Sequence, residues 1–283
     1  FHIRYHCQNF LESVAAAMEA RVDLEQSSIV RRGRTTFVRP FPISLDIDAI
    51  SEEARSPTLL HRAEQLRDRL GLANQRVLLG VDRIDYTKGI PERLRAFDRL
   101  LQTHPEYQGN VCFLQIAAPS RSRIPSYKAL ATELDTLVAD INWKYGSGRW
   151  TPVIYLDTAY PPEEVLAFYR LADVCVVSSL HDGMNLVAKE FVAARPDLEG
   201  VLVLSRFTGV ARELEEALQV NPYAVDELAQ AMHQALTMDP AERRARMSAL
   251  RDTIQRNNIY RWGGKIVSAM GRIAQRRKLE GSL

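Results

Sequence analysis

From about Gln75 to Val220 the chain alternates short, continuously apolar runs with segments of helical period, and this alternation constrains the fold more than any other feature. A run that is apolar at nearly every position has little face to offer water, so it belongs in a sheet covered on both sides. The runs are Val77 to Asp82, Val111 to Ile116, Val153 to Leu156, Val174 to Val177, Val201 to Leu204 and Leu218 to Val220. Between them, helices are expected at Pro91 to Thr103, Ser126 to Asp140, Pro162 to Leu171, Leu186 to Ala194 and Ala211 to Ala217. Parallel strands need such long crossovers. The expected class is α/β, a parallel sheet with helices on both faces. With 283 residues, 46% of them apolar, the chain can bury one large core or two modest ones.

The flanks differ. Ahead of Gln75 the pattern predicts a helix through Asn9 to Ala20, a hairpin around Arg31-Arg32-Gly33-Arg34, the Pro-bracketed Arg39-Pro40-Phe41-Pro42, and a charged helical stretch to Leu70. After the last strand, Asp226 to Thr237, Pro240 to Gln255 and Tyr260 to Gln275 carry helix signals, with Asp226 and Asp239 as caps. The first residue is Phe1 and no leader pattern follows it, so a preceding part is expected.

Charge narrows the function classes. The formal net charge is only +2, and the cations are scattered, which argues against a nucleic-acid surface. The one short basic run, Arg276-Arg277-Lys278, reads as a solvated helix end. No apolar stretch approaches the roughly 20 residues that span a bilayer, so a soluble, cytoplasmic protein without membrane partners is expected. Cys7, Cys112 and Cys175 are odd in number and widely spaced, which suits buried small hydrophobes in a reducing compartment.

Ligands of open α/β sheets collect beyond the carboxyl ends of the strands, where helix N-termini present backbone N–H groups. The segment Gly80-Val81-Asp82-Arg83-Ile84-Asp85-Tyr86-Thr87-Lys88-Gly89-Ile90-Pro91 runs from strand to loop to helix there. Arg83 offers a planar fork and Lys88 a compact charge, a pair able to neutralise a diphosphate. The same residues also fit Arg83 pairing with Asp82 or Asp85 beside an exposed Lys88. No P-loop and no G-x-G-x-x-G occurs, which removes the usual support for ATP or NAD.

The second such segment runs from Ser178 through His181-Asp182-Gly183-Met184-Asn185 to Glu190. Gly183 permits a close backbone approach, Asp182 can accept from sugar hydroxyls and Glu190 from a ribose diol. Equally, Asp182 suits a helix cap and Glu190 a neighbouring cation. Arg121, after the strand Val111 to Ile116, is a third cation at this edge. Asp46-Ile47-Asp48 mimics a metal-holding D-x-D, but it lies outside the strand-helix region, and Asp48 reads as a helix cap. The six histidines show no metal-ligand spacing, and no G-x-S-x-G elbow is present. The role of His181 stays open.

At these two loops the sequence resembles the trehalose-6-phosphate synthase family. VDRIDYTKG at Val81 to Gly89 and DGMNLVAKE at Asp182 to Glu190 look like that family's signature motifs. QIAAPSR at Gln115 to Arg121, NWKYG at Asn142 to Gly146, WTPVIYL at Trp150 to Leu156 and GVLVLSRFTG at Gly200 to Gly209 also match its pattern. The resemblance runs from about Phe1 to Arg272. It implies a retaining glycosyltransferase of GT-B architecture, with the active site between two Rossmann-like halves. This chain would be the second half: 1–74 as connecting segment and remnant of the acceptor domain, 75–258 as the Rossmann-like nucleotide-sugar domain, and 259–283 as C-terminal helix.

By that resemblance, Arg83 and Lys88 would bind the donor diphosphate. Asp182, with backbone groups of Gly183, Met184 and Asn185, would hold the glucose. Leu186 and Val187 would line the nucleotide pocket, with Tyr160 and Val165 around the uracil and Glu190 on the ribose. Arg121 would reach the phosphate of the acceptor. The implied substrates are UDP-glucose and glucose-6-phosphate, with no cofactor, no metal and no nucleic acid, and a homo-oligomer left open. Arg83, Lys88 and Asp182 would be the catalytic set, acting by front-face attack, since no carboxylate pair suited to a covalent intermediate is evident. First-half residues that grip the acceptor are absent, so this piece alone is expected to turn over little. Two rivals remain: another phosphorylated acceptor such as glycerol-3-phosphate, and a non-catalytic regulatory homologue.

Overall fold

The computed structural model describes residues 1–121, 123–148 and 150–280, with side chains as far as 276. It divides into two compact units, one formed by Phe1–Asp46 with the chain from Arg256 onward, the other by Ile47–Gln255.

In the first unit, α1 (Arg4–Ala17) precedes three antiparallel strands, β1 (Arg21–Asp23), β2 (Ser28–Arg31) and β3 (Arg34–Phe37), in the order β1-β2-β3. The expected hairpin forms with Arg31 opposite Arg34, leaving Arg32 and Gly33 as a two-residue turn, both at positive φ. Cys7, Leu11 and Val14, spaced to share one helix face, close a small core with Ile29 and Val38.

The second unit opens with α2 (Ile47–Arg55) and α3 (Pro57–Arg69). The expected single charged stretch is two helices because Ser56 caps α3, its Oγ accepting from the Leu59 N–H, and Pro57 starts it. There follow β4 (Arg76–Arg83), α4 (Ile90–Thr103), β5 (Val111–Ala118), α5 (Pro125–Tyr145) and β6 (Val153–Leu156). Then come α6 (Pro162–Leu171), β7 (Val174–Val177), α7 (Leu186–Ala193), β8 (Val201–Ser205), β9 (Leu218–Val220), α8 (Val225–Thr237) and α9 (Pro240–Arg256). The last helix, α10 (Ile259–Glu280), returns to the first unit, where the Trp262 indole donates to the Phe41 carbonyl. It carries the basic run, of which Arg276 is exposed and residues 277 and 278 have side chains outside the described set.

All six strands of the larger sheet are parallel, in the order β6-β5-β4-β7-β8-β9. Their side chains alternate between two buried layers. Leu78, Phe113, Val174, Val176 and Val203 pack with α4, α5 and α8, whereas Leu79, Cys112, Leu114, Cys175 and Leu202 are buried on the opposite parity. The helices α2, α3, α6 and α7 pack among themselves as the second layer. This explains why the strands read as unbroken apolar runs. All three cysteines are buried and unpaired.

Three sequence expectations shift. The helices α2 and α3 pack on α6 and α7, so the sheet unit starts at Ile47 and ends at Gln255, not at 75 and 258. The helix expected over Ala211 to Ala217 is a short 3-10 turn, Gly209–Arg212, whose Gly209 and Val210 N–H groups are taken by the carbonyls of Asp182 and Met184, and the chain enters β9 at Leu218. Asp48 and Asp226 lie inside first turns rather than capping them, and their carboxylates accept from Gln255 and Arg99. Asp239 does cap, through the Ala241 N–H.

Candidate functional site

The chain builds β4, β5 and β6 outward in one direction, then crosses back to lay β7 on the other side of β4. The loops after β4 and β7 therefore leave neighbouring strands in opposite directions, which opens a crevice at their carboxyl ends. Both loops singled out in the sequence lie there. They touch directly: the Leu180 N–H donates to the Thr87 carbonyl at 2.7 Å, and the Ser178 hydroxyl to the Gly89 carbonyl at 2.8 Å. Across the gap the Lys88 ammonium donates to Asp182 Oδ2 at 2.6 Å, with both side chains less than one-fifth exposed.

Local chemistry fixes Lys88. Asp85 accepts from the N–H and the hydroxyl of Thr87 and so starts the single 3-10 turn Tyr86–Lys88. Burial raises the Asp85 carboxyl, but the Thr87 and Tyr127 hydrogen bonds and the Lys88 charge outweigh it, leaving its pKa below the ordinary value. Gly89 then takes a left-handed conformation (φ 62°, ψ 35°) and starts α4. A Cβ there would collide with the Ser178 carbonyl, so the loop can close on β7 only with glycine.

Asp182 is held from three sides. Its Oδ1 accepts from the Met184 N–H, its Oδ2 from Asn185 Nδ2 at 3.2 Å, and its backbone pairs with Thr208 in the loop after β8. Asn185 caps α7 through the Ala188 N–H while sitting at φ 82°, a strained position for a non-glycine residue. One turn on, Glu190 accepts from the Tyr169 hydroxyl at 2.9 Å. Burial pushes the Glu190 carboxyl above its usual value, and the Tyr169 bond draws it partly back.

Residues 1–272 match the family model described as Glycosyltransferase family 20. The chain belongs to glycosyltransferase family 20. The trehalose-6-phosphate synthase of Klebsiella pneumoniae is 40% identical over 269 residues, which are 94% of this chain and 56% of that protein. The UDP-forming alpha,alpha-trehalose-phosphate synthase of Pichia angusta is 35% identical, covering 96% of this chain and 57% of its own. Among solved structures, the Escherichia coli enzyme bound with UDP-2-fluoro glucose superposes with a TM-score of 0.88 at 36% identity, over 95% of this chain and 59% of that one. A synthase from Burkholderia xenovorans in complex with glucose-6-phosphate gives 0.89 at 34% identity, over 96% and 60%. The fold is thus the Rossmann-like part of a GT-B enzyme, and the chain spans a little over half the length of these relatives.

In this family 20 chain the remaining candidates are arranged as follows. Arg83 ends β4 with an exposed side chain and no ion pair to a described residue; the alternative pairings fail because Asp82 is taken by Arg93 and Asp85 by Thr87 and Tyr127. Arg121, exposed at φ 48°, donates to the Tyr127 hydroxyl, which donates to Asp85, tying the third cation to the Lys88 turn. Tyr160, between β6 and α6, and Val165, on α6, are half-buried, the Tyr160 ring edge-on to Phe168. Leu186 and Val187 are half-buried at the start of α7. His181 is exposed, and its N–H is 3.4 Å from the Thr87 carbonyl. Asp46 and Asp48 are engaged with Tyr260 and Gln255 respectively. Among the described residues no group of three or more His, Cys, Asp or Glu could hold a metal ion.

Sequence reasoning passed over Arg93, Tyr169 and Thr208. Arg93 and Tyr169 sit at helical spacing among apolar residues and read as helix surface or core. The available signal was parity: Gly80, Asp82, Gln115 and Ser178 interrupt one apolar sheet face at its carboxyl edge. A groove of about 780 Å³ in the first unit, between Phe37, Phe41 and α10, contains none of the candidates, so size does not locate the site.

Proposed function

We propose that this chain is the donor-binding part of a retaining glucosyltransferase that moves glucose from UDP-glucose to glucose-6-phosphate, giving trehalose 6-phosphate and UDP. The observation that carries the reading is the Lys88–Asp182 pair at the switch point, a cation and a sugar-type acceptor 2.6 Å apart on loops of adjacent strands. An ammonium has three donors, so Lys88 can serve phosphate oxygens while keeping Asp182. Asp182 and the backbone of Gly183 to Asn185 hold the glucose, Glu190 accepts from the ribose, and Leu186, Val187, Tyr160 and Val165 flank the base. Arg121 meets the acceptor phosphate. The relatives bound with UDP-2-fluoro glucose and glucose-6-phosphate support both substrate classes.

In the reaction, the acceptor hydroxyl approaches the anomeric carbon on the face that UDP leaves, and a phosphate oxygen of UDP takes its proton. Charge builds on the departing diphosphate, where Lys88, held by Asp182 in the crevice, and Arg83, from the exposed end of β4, offset it. No cofactor enters this scheme, and the protein acts in the cytoplasm on small molecules. In the complete protein, Lys88→Ala is expected to lose about 2 to 4 kcal/mol of transition-state stabilisation, the scale of one preorganised donor. Assay of trehalose 6-phosphate formation checks it; turnover within a fewfold of the parent would refute the assignment.

A further inference from the structure

Behind the Lys88–Asp182 pair stands an arginine with no exposed surface. Arg93, on the first turn of α4, donates from Nε to Ser178 Oγ at 2.9 Å, from Nη1 to Gln115 Oε1 at 3.0 Å and from Nη2 to Asp82 Oδ2 at 2.8 Å. Its Nη2 also lies 3.5 Å from the Lys88 carbonyl. One guanidinium thereby ties together β4, β5, β7 and the turn that carries Lys88. The sheet makes room for it at Gly80, where a Cβ would strike both the guanidinium and the Gln115 amide. A buried ion pair rarely stabilises more than apolar side chains of the same volume, so its presence at the crevice calls for another reason.

That reason is Asp82. Its carboxylate is buried, which pushes its pKa up, and the charges of Arg93 and Lys88 draw it back towards the ionised form. The Lys88 ammonium therefore has two acidic neighbours, Asp182, which it bonds, and Asp82, which Arg93 occupies. We infer that Arg93 is a positioning residue: by neutralising Asp82 it keeps that carboxylate from drawing the Lys88 ammonium inward, away from Asp182. The Lys88 ammonium is thereby left free to meet the phosphates of a nucleoside diphosphate. This rests on the proposed function, in which Lys88 meets the donor.

The test uses the complete protein, with UDP binding by titration calorimetry and steady-state kinetics with UDP-glucose. In Arg93→Gln, Asp82 loses its partner and draws Lys88 inward. The UDP dissociation constant and the KM for UDP-glucose are expected to rise about tenfold or more, the scale of removing one charge-assisted hydrogen bond. Adding Asp82→Asn to Arg93→Gln removes the competing carboxylate and restores affinity to within about threefold of the parent. A purely structural arginine predicts that the double variant stays as weak as the single, because Ser178, Gln115 and the Lys88 carbonyl still lack the guanidinium. Arg93→Lys keeps a cation against Asp82 and is expected to hold UDP within about threefold, which decides the matter if Arg93→Gln does not fold. Parental affinity in a folded Arg93→Gln, a double variant no better than the single, or a tenfold loss in Arg93→Lys would each overturn the inference. If the parent itself fails to bind UDP, it is the functional reading that falls; if the parent binds and the variants behave as structural changes, only the role of Arg93 falls.

Discussion

Glu190 holds two opposing tendencies in one side chain. Burial favours its protonated form, while the hydrogen bond from Tyr169 and the proposed role of acceptor for a ribose diol both need the carboxylate. The Tyr169 hydroxyl stays a donor throughout, because burial and the Glu190 charge push its own pKa well up. Since the folded pKa of Glu190 is raised, donor affinity is full above that pKa. It falls as pH drops through it, starting at higher pH than for an ordinary glutamate near 4.3. Stability runs the other way for this group: its contribution is fully present below the unfolded pKa and is lost as pH rises through the folded one. UDP titrations across acidic to neutral pH should therefore show affinity falling on acidification, with Tyr169→Phe moving the fall to higher pH and Glu190→Gln flattening it. An unchanged profile in Glu190→Gln would remove the ribose role. Glu190 could be singled out in the sequence as a candidate because it follows a glycine-bearing loop at helix spacing. Tyr169 was not, since only its partner across the α6–α7 contact distinguishes it from any core aromatic.

At the scale of elements, the strands were the most legible part, and their parity explains why. Leu78 and Leu79 face different helix layers, so both faces stay apolar until Asp82, Gln115 and Ser178 at the carboxyl edge. What local pattern could not supply was competition for backbone groups. Residues 211–217 carry good helix formers, but so short a segment nucleates poorly alone and Leu218 is already taken into the ladder with β8, while the N–H groups of Gly209 and Val210 just ahead brace the Asp182 turn. The same bracing makes the turn around Lys88 intolerant of side chains. Gly89→Ala adds a left-handed alanine and a Cβ against the Ser178 carbonyl. It is expected to cost more than about 1 kcal/mol of stability, and to weaken UDP binding as the turn moves off β7. Thermal melting with and without UDP checks both parts; an unchanged melting temperature would mean that the turn relaxes freely.

For the whole molecule, the decisive fact is where the candidates fall. Arg83, Lys88, Arg121, Tyr160, Val165, Asp182 to Val187 and Glu190 all belong to the unit Ile47–Gln255, which contains the six-stranded sheet and its own core. The sequence showed that core through its alternating runs. It hid the membership of α2 and α3, because amphipathic helices ahead of the first strand carry no mark of which surface they cover. Ser51 on α2 donates to the Ala193 carbonyl at the end of α7, and Arg251 on α9 joins it with bonds to the Val192 and Ala193 carbonyls. The helix that bears Glu190 is thus closed at its far end partly by α2, which lies outside the span first expected to form the domain. A piece comprising 47–255 is therefore expected to fold and to bind UDP within about threefold of the 283-residue chain, whereas a piece beginning at 75 loses Ser51 and melts lower. Calorimetry and thermal melting on the two pieces separate the cases. A folded 47–255 piece without UDP affinity would place part of the donor site outside this unit.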